Sequence, residues 1–217
     1  MTVPSCLSVR WSHTVGQDHT VMVLPDGCRD ILIRLTPQGQ ASVTLTDWDF
    51  GPRPVRLEAG TRVTGHRLRP GVSVPPSLLA VLTADLHRTG TCAVEQALAD
   101  QARFLPDLDG LLPGGDRLRA RTDRSKRTVQ RRFLALGLPP PGIWRQLGRA
   151  RHTARLLGTE PHIPLADLAG LCGYSDQAHM TRDLTRWFGS SPAALRQNAA
   201  MLAVLREPGF GNWELRA

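Results

Sequence analysis

Two stretches of the sequence carry arginine and glutamine side chains at helical spacing. At 100° per residue, these side chains lie on the helix face opposite the apolar positions of the same stretch. The residues are Arg127, Gln130, Arg131, Arg182 and Arg186. A guanidinium can bind O6 and N7 of guanine together, and a glutamine amide can bind N6 and N7 of adenine. These side chains can therefore form hydrogen bonds with base edges and phosphates. Spacing alone leaves one alternative open, an ordinary amphipathic helix pair with a solvated basic face.

Residues 163–195 predict two helices joined by a tight turn. The first helix has one apolar face, formed by Leu165, Leu168, Ala169 and Cys172. Gly173 should end this helix, because glycine adopts left-handed geometry without strain. Ser175 is expected to cap the second helix, with Asp176 favourable in its first turn. The apolar face of the second helix carries Met180, Leu184, Trp187 and Phe188. A helix pair with a basic second helix is the form that enters a DNA major groove.

These residues also carry a family resemblance. The segment GYSDQAHMTRDLTRWFGSSPAALR resembles the second helix-turn-helix of AraC/XylS-type transcription regulators, including its Gly–aromatic–Ser turn and its closing Phe-Gly-x-Ser-Pro. The segment SKRTVQRRFLALG resembles the first recognition helix of that family. The resemblance implies DNA contacts from the first motif at Lys126, Arg127, Gln130 and Arg131. In the second motif it implies contacts from Ser175, Gln177, Ala178, His179, Thr181, Arg182 and Arg186.

A long helix is predicted between the two motifs, over residues 142–157. Its inward positions are Trp144, Leu147, Ala150, Ala154 and Leu157. In the family such a helix fixes both motifs so that they bind one face of the DNA. Arg149 matches a basic residue of that helix, and either a structural ion pair or a DNA contact is open to it. The stretch 111–123 departs from the family, because it has few apolar positions and is interrupted by Pro113-Gly114-Gly115.

The charge of the chain is unevenly placed. The formal net charge is +8 over 217 residues, and Lys126 is the only lysine. Residues 1–110 carry 10 Lys+Arg against 11 Asp+Glu, whereas residues 111–217 carry 17 against 8. A bias toward arginine codons explains the scarcity of lysine but not the asymmetry. A polyanion partner for the C-terminal half is expected.

The N-terminal half reads as β structure. Strands are predicted over residues 21–24, 31–35, 42–48, 55–57, 62–64 and 66–68, separated by turn residues. The segments PDGCRDILI and GHRLRPG resemble the abbreviated cupin-like N-terminal domain of one group of these regulators. Helices are predicted over residues 78–86 and 91–104. The first is either a linker or dimer contact or a plain core helix. The second would open the DNA-binding domain, and core packing is its favoured role.

Other functions of the N-terminal half have less support. His13, His19, Cys28 and His66 are candidate metal ligands, but their spacing matches no ligand set, so no metal is expected. Cys28 beside Arg29 is either a reactive thiol or a small buried hydrophobe. No catalytic residue set is supported, and neither enzyme activity nor a cofactor is expected. The four cysteines lack CxxC spacing, and the chain shows neither a membrane-spanning run nor a signal-peptide pattern, so a cytoplasmic location is expected.

The sequence therefore predicts an α+β protein. A small antiparallel β domain (partial barrel or cupin-like) covers 1–74 and serves as sensor or dimerisation domain, followed by a linker helix region over 75–90. A double helix-turn-helix domain covers 91–200, and a tail without assigned function covers 201–217. By resemblance, the partners are double-stranded DNA, RNA polymerase, a small-molecule effector and a second copy in a homodimer, and the effect is activation. Two rivals remain: a DNA-associated repair or redox sensor using Cys28, and a non-specific architectural DNA binder.

Overall fold

The computed structural model describes residues 8–68, 72–84, 92–101, 103–104 and 126–206. It confirms the predicted α+β class, with an antiparallel β region followed by a helical region. The six strands of the first region are β1 (Ser8–Thr14), β2 (His19–Val23), β3 (Asp30–Leu35), β4 (Ala41–Leu45), β5 (Arg53–Leu57) and β6 (Arg62–Leu68). Four of them pair in the order β1-β6-β3-β4, while β2 pairs with β5, so the described strands do not close into a barrel.

Strand β1 was not predicted, and several predicted strand boundaries were wrong. Residues 62–68 form one strand, although Gly65 was expected to divide it. The indole of Trp11, on the neighbouring β1, occupies the space that a Cβ at position 65 would need, so glycine here serves close packing across strands. The strand predicted over 42–48 ends at Leu45, because Thr46 turns to bind β3. Its hydroxyl accepts a hydrogen bond from the Asp30 backbone N–H at 2.8 Å.

The next elements pack onto the sheet. They are α1 (Pro76–Ala84), α2 (Cys92–Gln101) and a short strand pair, β7 (Val72–Ser73) with β8 (Arg103–Phe104). Their buried side chains share one core with the sheet: Ile31, Leu68, Val72, Leu78, Leu82, Val94 and Leu98. Val94 and Leu98 of α2 pack with the β region in this core. The start of the DNA-binding domain at residue 91 stays a prediction. The helix predicted over 91–104 ends at Gln101.

The C-terminal region is helical. It contains α3 (Lys126–Ala135), α4 (Pro141–Thr159), α5 (Leu165–Leu171), α6 (Gln177–Phe188), α7 (Pro192–Gln197) and α8 (Ala199–Arg206). The long connecting helix is confirmed as α4, and its inward residues Trp144, Leu147, Ala150, Ala154 and Leu157 are all buried. The helical chain is interrupted between α7 and α8 at Asn198, whose side chain accepts a hydrogen bond from the Met201 backbone N–H at 2.9 Å. Residues 105–125 and 207–217, which include the stretch before the first recognition helix and most of the tail, lie outside the described residues.

A buried arginine joins the two regions. Arg151, on α4, is 7% exposed and donates to the backbone oxygen of Pro25 at 3.1 Å and of Leu205 at 2.9 Å. Burial lowers the pKa of its guanidinium, and the nearby carboxylate of Asp26 opposes that shift. Asp26 is also paired with Arg67 of β6 at 3.0 Å. The β region is therefore fixed to α4 through buried charge and backbone hydrogen bonds.

Replacing this arginine should destabilise the whole chain. We expect Arg151→Ala to lower the free energy of unfolding by about 3 kcal/mol, because two buried carbonyls lose their donor and Asp26 loses one of its cations. Chemical denaturation of the full chain measures this. Arg155→Ala, on the exposed side of the same helix, is the control and should stay within about 0.5 kcal/mol of the parent. A loss below about 1 kcal/mol for Arg151→Ala would contradict the anchoring role.

Candidate nucleic-acid interface

The second predicted motif is formed by α5 and α6. Gly173 lies in the turn between them with φ 72°, as expected for the residue that ends α5. The predicted cap was wrong: the N-cap of α6 is Asp176, whose carboxylate accepts a hydrogen bond from the His179 backbone N–H at 2.7 Å. This bond lowers the pKa of the Asp176 carboxyl. Ser175 instead donates from its hydroxyl to Asp176 at 3.2 Å.

The two faces of α6 are sharply divided. Met180, Leu184 and Trp187 are 0% exposed, and Phe188 is 1% exposed. The predicted DNA-contacting residues lie on the other side or at the N-terminal end of the helix. Ser175, Gln177, Ala178, Arg182 and Arg186 are exposed, while His179 and Thr181 are partly buried. The helix therefore presents a polar face with one central arginine, and it is closed by Gly189 at φ 70°.

A buried carboxylate on the inner face holds α6 in place. Asp183 accepts hydrogen bonds from the Tyr174 hydroxyl at 3.0 Å and from the Trp187 indole N–H at 3.1 Å. It also pairs with Arg149 of α4 at 3.2 Å. Burial, followed by the neighbouring Asp183, raises the pKa of the Tyr174 hydroxyl, so this group stays a donor. One side chain thus joins α4, the turn and the recognition helix.

Of the two roles left open for Arg149, the geometry favours the ion pair. Besides Asp183, its guanidinium donates to the Gly173 backbone oxygen at 3.3 Å and lies 4.1 Å from the centroid of the Tyr174 ring. Sequence reasoning missed Asp183 as the partner. The signal was present, because an aspartate occupies the apolar face between Met180 and Trp187. A charged residue at a core position requires a buried partner.

Arg186 differs from Arg182 in its surroundings. Its guanidinium donates to the side-chain oxygen of Gln146 at 3.3 Å and lies 5.0 Å from the centroid of the Trp187 ring. It is therefore held against α4 near the C-terminal end of α6. Arg182 lies one turn earlier and acts electrostatically on Asp176 at the helix N-terminus. Only Arg182 stands in the middle of the exposed face.

The first motif is described only from α3 onward. Arg127, Gln130 and Arg131 are exposed on this helix, and Phe133 is 0% exposed on its inner side. The predicted division of the helix into a polar and an apolar face is therefore present. The side chain of Lys126, at the start of α3, lies outside the described part of the chain. Phe133 shares a small core with Leu138 and Trp144, and the Trp144 indole donates to the Pro139 backbone oxygen at 2.8 Å.

The candidate metal and thiol residues do not form a site. His13 and His19 are exposed, whereas Cys28 and His66 are buried. Among the described residues, no group of three His, Cys, Asp or Glu side chains could hold a metal ion. Cys28 is 7% exposed, which matches the small-hydrophobe reading better than that of a reactive thiol. Within the same residues, no helix is both long and apolar enough to span a membrane.

Comparisons with known proteins agree with this geometry. A family model described as a helix-turn-helix domain matches residues 118–198. The HTH-type transcriptional regulator VirS of Mycobacterium tuberculosis is 37% identical over 115 residues, which is 53% of this chain and 27% of VirS. The transcriptional activator NphR of a Rhodococcus species is 33% identical over 125 residues, 58% of this chain and 35% of NphR. The chain thus spans about a third or less of the length of these relatives.

A solved structure is also similar in outline. A variant of apo ToxT from Vibrio cholerae aligns over 89% of this chain and 98% of its own, with 7% identity and a TM-score of 0.38. That similarity is too low to carry an argument about the site. Both relatives described above carry names of transcription regulators.

Removing the buried carboxylate should release the second recognition helix. We expect Asp183→Ala to lower the free energy of unfolding by about 3–5 kcal/mol, because Arg149 would be left without its anion beside two unsatisfied donors. Chemical denaturation measures the loss. Thr185→Ala, exposed on the same helix, should change stability by less than about 0.5 kcal/mol. If both variants unfold at the same denaturant concentration as the parent, Asp183 does not hold α6.

Proposed function

We propose that this chain is a regulator of the AraC/XylS type that reads DNA sequence with two recognition helices. The match of its C-terminal region to a helix-turn-helix family model and to the regulator VirS supports this proposal. In this proposal α3 and α6 enter successive major-groove segments about 10 bp apart on one face of the duplex. The observation that carries it is the division of α6. Its inner face is buried and fixed by Asp183, while Arg182 stands exposed at the centre of its outer face.

The roles of individual residues follow from their surroundings. Arg182 is the base reader of the second motif, because a guanidinium there can reach O6 and N7 of guanine. Arg127, Gln130 and Arg131 have the corresponding role in the first motif, with Lys126 at its start. The DNA-facing side of α6 also carries Gln177, Ala178, His179 and Thr181. Ser175 lies at the N-terminal end of α6, where backbone N–H groups favour a phosphate. Arg186 contributes charge near phosphates, while Arg149 acts by holding α6.

The wider role rests on the regulators that the chain is similar to. One of them is named a transcriptional activator, which supports activation by recruitment of RNA polymerase. The N-terminal region would sense a small molecule or form a homodimer, in a protein that works in the cytoplasm. We place the end of that region near residue 104, because α1 and α2 share its core. A repair or redox role has less support, since the Cys28 thiol is buried.

Replacing the central arginine should change sequence preference. On DNA selected by the full chain from a random library, Arg182→Ala should lose about 1–3 kcal/mol of binding free energy and relax the preference at one or two base pairs. The salt dependence of binding should change little, because a base contact releases no phosphate counterion. Binding titrations on selected and scrambled DNA at several salt concentrations measure both quantities.

Two further variants serve as references. Arg62→Ala removes the same charge from an exposed position on β6 and should leave the sequence preference intact. Arg186→Ala should weaken all DNA sequences about equally. An equal loss on selected and scrambled DNA for Arg182→Ala would contradict its role as a reader. If the parent chain itself binds both DNAs equally, the protein is a non-specific architectural binder.

A further inference from the structure

A segment of the β region lies against the ends of both recognition helices. This brace segment, residues 46–52, follows β4 and contacts the small core beneath α3 through Trp48. The rings of Trp48 and Trp144 meet edge to face, with centroids 5.0 Å apart and an interplanar angle of 82°. The geometry is that of a favourable aromatic pair. One residue of the β region therefore completes the packing around the first recognition helix.

The other end of the brace segment reaches the second recognition helix. A Cβ built at Gly51 would lie 3.6 Å from the backbone oxygen of Arg186, the last arginine of α6. A Cβ built at Gly189, which closes α6, would lie 3.1 Å from Cγ of Pro52. The backbones are thus in close contact at the C-terminal end of α6. The same seven-residue segment thus contacts both the core beneath α3 and the C-terminal end of α6.

The brace segment is held firmly from the β side. Arg29 donates from Nε to the Thr46 backbone oxygen at 2.6 Å, and its guanidinium lies 5.3 Å from the centroid of the Trp48 ring. Arg53 pairs with Asp49 at 2.7 Å just beyond the tryptophan. A second link runs from Ser73, whose hydroxyl donates to the backbone oxygen of Leu136, immediately after α3, at 3.0 Å. The ring that packs against the core beneath α3 is therefore held in place from the β side.

The first recognition helix has few other buried neighbours among the described residues. Its core contains three fully buried side chains, Phe133, Leu138 and Trp144, with Trp48, Val129 and Leu136 partly buried around them. The second motif lies on a far larger core that extends along α4, α7 and α8. Within the described residues, Trp48 and Trp144 are the two tryptophans of this core, so their pair contributes much of the apolar contact around Phe133.

We propose that Trp48 is a positioning residue that sets the orientation of the first recognition helix from the N-terminal region. DNA binding by the first motif then depends on the β region, whereas the second motif keeps its own support. This inference rests on the proposed function and adds to it a route by which the two regions are coupled. The route runs from the sheet through Trp48 and Trp144 to α3.

The test is a double-mutant cycle that combines variants of the full chain with base changes in the DNA and measures the binding affinity of each pair. For the parent, base changes in the DNA segment contacted by α3 should reduce affinity by about 10-fold or more. For Trp48→Ala, affinity for unchanged DNA should fall by about 10-fold, and the same base changes should cost less than about twofold. Base changes in the segment contacted by α6 should keep their full effect. Footprinting should show that protection is lost over the first segment only.

Control variants separate positioning from general stability. Trp11→Ala removes the same type of side chain from β1 of the same region, where the indole packs on Gly65 and donates to Asp30 at 2.8 Å. It should leave both DNA segments protected at protein concentrations corrected for the folded fraction. Trp48→Phe keeps an aromatic ring and should fall between the parent and Trp48→Ala. If Trp48→Ala does not fold, Trp48→Phe carries the same comparison with a smaller effect.

The outcomes distinguish this inference from the proposed function. If the parent protects two segments and Trp48→Ala weakens both equally, or neither, Trp48 does not position α3. If the parent shows no sequence preference, the proposed function is wrong, because no DNA segment is then read by α3. Selective loss of the first segment in Trp48→Ala, together with its retention in Trp11→Ala, supports the positioning role.

Discussion

The arrangement of the second motif depends on one buried carboxylate. Asp183 lies on the apolar face of α6 and is 8% exposed, where an unpaired charge would be costly. Its three donors come from three places: Arg149 on α4, Tyr174 in the turn, and Trp187 one turn further along α6. Because all three must be in place to satisfy it, the network fixes the angle between α4 and the recognition helix as well as their distance. The exposed position of Arg182 follows from that constraint.

The same long helix also carries the contacts to the β region. Near its start α4 meets the brace segment through Trp144, and near its middle it meets Pro25 through Arg151. Leu24, the residue directly after β2, is buried in the core of the second motif. The two regions are therefore joined by apolar, aromatic and charged contacts at several points along α4. A change in the sheet therefore has a direct physical route through Trp48 to the first recognition helix, while the second is also held by Asp183.

Much of the helical region could be predicted from sequence, because a single apolar periodicity dominates there. The 3.6-residue apolar pattern gave α4 and α6, because their buried faces are long and uninterrupted. Sequence patterns gave the wrong prediction where a residue is determined by a tertiary contact. Gly65 looked like a strand break but makes room for Trp11, and Ser175 looked like a cap although Asp176 has the better-placed oxygen. The placement of α2 on the sheet, the partners of Asp183 and the contact between Trp48 and Trp144 join residues far apart in the chain. No local pattern contains that information, although an aspartate inside an apolar face signalled that a partner was needed.

The central claim is that two recognition helices, held by α4, read one face of the DNA. The most direct measurement is the affinity of the full chain for DNA in which the distance between the two bound segments is varied one base pair at a time. We expect one optimum with centres about 10 bp apart, and an affinity at least about 10-fold lower when a half-turn of about 5 bp is inserted, because a rigid α4 cannot follow the rotated segment. Equal affinity at every spacing would contradict it.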